Sequence, residues 1–122
     1  MRNSILLAVS LALCAATNAH HSTAMFDANQ RVALNATIKE LQWSNPHAWL
    51  QIIVANDKGE NVEWSVEMGN PAAMIREGWK SNSLKPGDKV TVVVSPLKNG
   101  GNGGNLISVT RADGSVVGRK AP

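Results

Sequence analysis

Residues 47–68 read HAWLQIIVANDKGENVEWSVEM. In the first half Ala48, Leu50, Ile52 and Val54 alternate with His47, Trp49, Gln51 and Ile53; in the second, Val62, Trp64, Val66 and Met68 alternate with Glu63, Ser65 and Glu67. Successive side chains of a strand point to opposite faces, so each half reads as a strand with one apolar face. Asn56-Asp57-Lys58-Gly59 is turn-forming, and two such runs across a short Gly-containing loop make a hairpin. Matching the apolar faces sets the register. Val54 pairs with Val62, which places Ile52 on Trp64, Leu50 on Val66 and Ala48 on Met68, with Trp64 in the core. The outer face then has Trp49 opposite Glu67 and His47 diagonal to that carboxylate, within reach of it.

Upstream, Val32, Leu34, Ala36 and Ile38 alternate with polar or small residues, and the apolar series then moves to odd numbers at Leu41 and Trp43. A β-bulge near Lys39 to Leu41 accounts for the change of phase. Ser44-Asn45-Pro46 ends this strand, since proline has no N–H for a ladder. Downstream, Asn70-Pro71 is a helix start with Asn70 as N-cap and Pro71 in the first helical position, and Gly78 suits the C-terminal end of about two turns. Leu84-Lys85-Pro86-Gly87-Asp88 is a turn before the strand of Val90, Val92 and Val94. Asn99 to Gly104 reads as a flexible glycine tip, and Leu106 to Arg111 as the last strand.

The order strand, strand, strand, short helix, strand, strand predicts an all-β, mainly antiparallel domain. It resembles the OB-fold, a five-stranded Greek-key barrel, here with one short helix between strands 3 and 4. A seven-strand sandwich fits less well, because too few strands are present and residues 70–78 interrupt them with a helix.

The ends are organised differently. Met1-Arg2-Asn3, the apolar run Ile5 to Ala16 and the small residues Thr17-Asn18-Ala19 have the layout of a secretory signal peptide cut after Ala19. The run is too short for a membrane span, which needs about 18 apolar residues. The expected division is residues 1–19 signal, 20–30 an N-terminal arm without clear periodicity, and 31–122 one barrel domain. Cleavage leaves 103 of the 122 residues and, without Arg2, eleven basic against nine acidic side chains. It also removes Cys14, the single cysteine, so the mature chain has no disulfide and no thiolate ligand. Basic residues are scattered singly rather than gathered in a stripe, which argues against nucleic acid as a partner.

The three histidines fall in two places, His20-His21 at the expected mature terminus and His47 after Asn45-Pro46. A terminal His20 offers an α-amino nitrogen beside an imidazole, and a further nitrogen from His21 or His47 completes a planar set that suits Cu(II). Glu67 is placed to be a fourth ligand or to fix the tautomer of His47. The candidate metal residues are therefore His20, His21, His47 and Glu67. A terminal His-His pair is equally what a solvated chain end looks like. A soft Cu(I) site is disfavoured, because Met68 is expected to face inward with no second methionine near it on a strand. Trp49 and Trp43 are candidates for a ligand or partner surface. No paired-carboxylate, nucleophile-elbow or phosphate-loop pattern is present.

His20-His21-Ser22 with Phe26-Asp27, Asn45-Pro46-His47-x-x-Leu50, Trp64-x-x-Glu67, Gly78-Trp79 and Leu84-Lys85-Pro86-Gly87-Asp88 together resemble an uncharacterised family of small exported bacterial proteins, a domain of unknown function. The resemblance implies export, a β-rich single domain, and a link between the His-His and Asn-Pro-His elements. The function expected from the sequence is that of an exported periplasmic binding protein, with copper or another divalent metal as ligand. The alternative is a metal-free module for a protein or small ligand in the periplasm. A copper oxidoreductase is the least supported.

Overall fold

The computed structural model describes residues 23–118. Five strands, β1 (Val32–Gln42), β2 (Trp49–Ala55), β3 (Asn61–Glu67), β4 (Lys89–Pro96) and β5 (Gly103–Arg111), close into a barrel in the order β1-β2-β3-β5-β4. One helix, α1 (Pro71–Arg76), lies between β3 and β4. All pairings are antiparallel except β3 with β5, which run parallel over three residue pairs. This is the five-stranded barrel with a single helix that the sequence predicts.

The hairpin register is the expected one: Val54 faces Val62, Ile52 faces Trp64, Leu50 faces Val66 and Trp49 faces Glu67. In β1 the register shifts between Ile38 and Glu40, so Lys39 is the extra residue of the bulge. The bulge lets one long strand serve two neighbours, its first half pairing with β4 and its second with β2. The barrel interior is filled by Ile38, Leu50, Ile52, Val66, Val92, Val94 and Val109, each less than 2% exposed. Most of them are β-branched side chains, which pack well on a pleated surface.

The helix has both of its ends written into the sequence. Asn70 Oδ1 accepts the Ala73 N–H at 2.8 Å, and Pro71 follows in the first turn. At the other end Gly78, at φ +92°, gives its N–H to Ile75 O, and Trp79 gives its N–H to Met74 O. That pair of bonds is a Schellman motif, whose left-handed residue favours glycine. The motif turns the chain so that Trp79 enters the core, 4% exposed. Asn70→Ala is expected to cost about 0.5–2 kcal/mol of unfolding free energy, measured by urea denaturation.

Two features differ from the expectation. Trp64 is only partly buried and packs against the edge of the core, while Trp79 is the buried tryptophan. Gly103 and Gly104, expected in the flexible tip, are buried strand residues. A Cβ on Gly104 would lie 2.8 Å from Ser95 O and from Val94 Cβ, closer than atoms pack, so only glycine lets β5 approach β4 here. The part of the arm that is described, Thr23 to Gln30, is tied to the barrel. A 3-10 turn at Thr23–Met25 leads to Phe26, which is 7% exposed and bridges Leu97. Asp27 N–H bonds Pro96 O, and Lys98 N–H bonds Met25 O. Leu97 gives its own N–H to Gly103 O. The arm therefore adds a short antiparallel segment to β4 on the side away from β5.

Candidate functional site

Glu67 ends β3 on the outer face, yet it is 8% exposed and is the one buried charged residue among those described. The ladder explains what surrounds it. Trp49 of β2 is opposite it on one side and Asn105 of β5 on the other, with Ser95 beyond Asn105 and Gln42 beyond Trp49. The row is polar apart from Trp49, which is half-buried. Behind Trp49, Gln51 donates to Gln42 Oε1 and accepts from the Ser65 hydroxyl. Glu63, on the same face, is exposed and paired with Lys39.

His47 precedes β2, next to the cis peptide bond between Asn45 and Pro46. At this end the hairpin ladder changes: Ala48 N–H bonds Gly69 O rather than Met68 O, while Met68 N–H still bonds Ala48 O. The Met68 carbonyl that Ala48 passes over is taken by the His47 ring, whose Nδ1 lies 2.8 Å from it. A carbonyl only accepts, so Nδ1 carries the hydrogen in this contact. Glu67 Oε1 is 3.5 Å from the same Nδ1, beyond a good hydrogen bond but close enough to favour the N–H there. The predicted diagonal approach of His47 and Glu67 is thus present. Among the described residues no fully buried side-chain nitrogen or oxygen lacks a hydrogen-bond partner.

His47 also lines a cleft of about 890 Å³. Met68, Met74 and Trp79 supply apolar surface in it, and Arg31 and Asn105 are among its polar groups. The cleft exists because β3 leaves β5 after the Glu67–Asn105 pair and turns into α1, which opens a gap along β5. Trp43 lies elsewhere, in a hollow of about 360 Å³ with Ile75 and Trp79. Trp49, the other candidate tryptophan, lines neither of these two cavities.

Of the four residues proposed as metal ligands, the structure brings His47 and Glu67 together, and His20 and His21 lie outside the described residues. Among the described residues no three His, Cys, Asp or Glu side chains are grouped as a metal site. The participation of Met74 and Trp79 is not visible in the sequence as periodicity, because both reach the cleft through the helix and its end. The signal for Trp79 was Gly78, whose left-handed position sets where the next residue goes. Among the described residues no helix is long and apolar enough to cross a membrane.

No curated protein and no solved structure matches the chain. A family described as a family of unknown function (DUF6152) matches over residues 8–106. Strands β1 to β4, the helix, the His47–Glu67 corner and the start of β5 fall within that span, and the chain belongs to this family.

Proposed function

We propose that the chain is exported to the periplasm by its signal peptide and works there as a binding protein. Its ligand is copper, as Cu(II), or another divalent metal, held by His47 with His20 and His21. The observation that carries this reading is the 2.8 Å contact of His47 Nδ1 with the Met68 carbonyl, with Glu67 beside it. A hydrogen bond at one ring nitrogen sets the orientation of the ring, which is how metal-binding histidines are usually held. Glu67 then acts on the ring rather than on the metal. The arm supports the reading by being short and docked on the barrel. Five residues lie between His20 and Phe26, and Thr23–Met25 among them form a 3-10 turn. Phe26, Leu97, Gly103 and Ser65 stand in one row across the sheet, so three strand spacings of about 4.8 Å lead from the arm to β3. The partner is a metal or a periplasmic protein rather than nucleic acid, since Glu63 and Glu67 occupy the outer face.

The test is to establish by mass spectrometry that the exported protein begins at His20, then to titrate it with Cu(II). Wild type is expected to bind more tightly than a His-His peptide, and His20→Ala and His47→Ala are each expected to weaken binding by about tenfold or more. Equal affinity in wild type and His47→Ala would remove the shared site. A second reading, a metal-free small-ligand module, is favoured by the cleft itself, whose volume is in the range of ligand pockets.

A further inference from the structure

Met68 has no second methionine beside it on a strand, but α1 provides one. The helix starts directly after Gly69, and Met74 is its buried residue, 5% exposed against 3% for Met68. Met74 Sδ lies 3.3 Å from where a Cβ on Gly69 would be. The glycine thus leaves room for a sulfur beside the backbone that follows Met68. The carbonyl of Met68 is the group that holds His47. Two thioethers and an imidazole accordingly line one cleft, with the Trp79 ring in its wall.

We propose that this cleft is a site for a soft monovalent ion, Cu(I) or Ag(I), with Met68, Met74 and His47 as its ligands. The proposal rests on the reading of His47 as a metal ligand and names a second ion for it. Thioether sulfur favours Cu(I) over the harder divalent ions, and imidazole accepts either. Cu(II) keeps the amine and imidazoles of the terminus; the soft ion takes the sulfurs.

The experiment uses the mature protein without oxygen. Cu(I) is supplied in competition with bathocuproine disulfonate, and Ag(I) is titrated by calorimetry as a redox-inert counterpart. The variants are Met68→Leu, Met74→Leu and the double substitution, swaps of similar volume that cores tolerate, with the fold checked by thermal unfolding. Each single change is expected to weaken Cu(I) and Ag(I) by about tenfold or more, since a ligand loses no less than a group behind a ligand does. Cu(II) affinity should stay at the wild-type value. Trp79 emission should fall when Ag(I) is added to wild type and stay constant in the double variant. Unchanged Cu(I) affinity in the double variant would overturn the thioether site, and if His47→Ala still weakened Cu(II), the reading of His47 would stand. If His47→Ala altered the affinity of neither ion, both proposals would fall together.

Discussion

Trp79→Ala is expected to lower the unfolding free energy by about 3–5 kcal/mol, the range for deleting a buried aromatic side chain. The ring is 4% exposed and belongs to the core cluster with Leu84, Met74 and Val117. Its surroundings give it little freedom to collapse. The Schellman motif at Gly78 fixes its backbone, and the chain at Gly118 lies against the indole, where an added Cβ would come within 2.6 Å of the ring. Refilling by neighbours is therefore limited, and most of the cavity cost should appear. For a domain of this size the melting temperature should drop by about 15 °C or more. Urea denaturation with an unchanged slope is the check. A loss below about 1 kcal/mol would show that the helix end does not deliver this side chain to the core. Trp43→Ala, at a partly exposed position, should cost much less.

Gly104→Val is expected to cost at least the upper end of the range for overpacking, about 3 kcal/mol. The new Cβ would meet Ser95 O and Val94 at 2.8 Å, and neither is a flexible side-chain tip that can turn aside. Strand β5 would have to move off β4 at the point where it also pairs with Val66 of β3. That parallel contact spans three residue pairs, so the barrel closes there by its shortest ladder. Amide hydrogen exchange should show the effect locally, with protection lost in β3 and the start of β5 before β1 and β2. Uniform loss of protection, or stability like the wild type, would contradict this account of the closure.

The hairpin was the most legible part of the sequence because two alternating runs with matching apolar faces have one good register, and Val54 on Val62 follows from it. The bulge at Lys39 showed itself as a change of phase, and α1 through Asn70, Pro71 and Gly78. Strand β5 was read too short for a physical reason. Glycine marks both loops and places where backbones approach closely, and only the neighbouring strand distinguishes them. The candidate site was legible to the extent that it lies on the hairpin. Trp49, Glu67 and His47 are related by register alone, whereas Met74, Trp79 and Asn105 come from α1, its end and a parallel neighbour, separations on which period-two patterning is silent. Trp64 was placed too deep because alternation gives the face of a residue and not its distance from the rim.

The docking of the arm at Phe26 and Asp27 also bears on affinity. Under the proposed function, a metal held by residues 20–22 would be tethered to the barrel by a few residues, so its meeting with the His47 corner would be an intramolecular event. Short tethers of this kind correspond to effective concentrations of the order of millimolar, which can raise overall affinity by about 10²–10⁴ without any new contact. Lengthening the chain between Ser22 and Phe26 would dilute that encounter while leaving every donor atom in place. On that reading Phe26 would set ligand affinity in addition to being a buried residue that bridges Leu97.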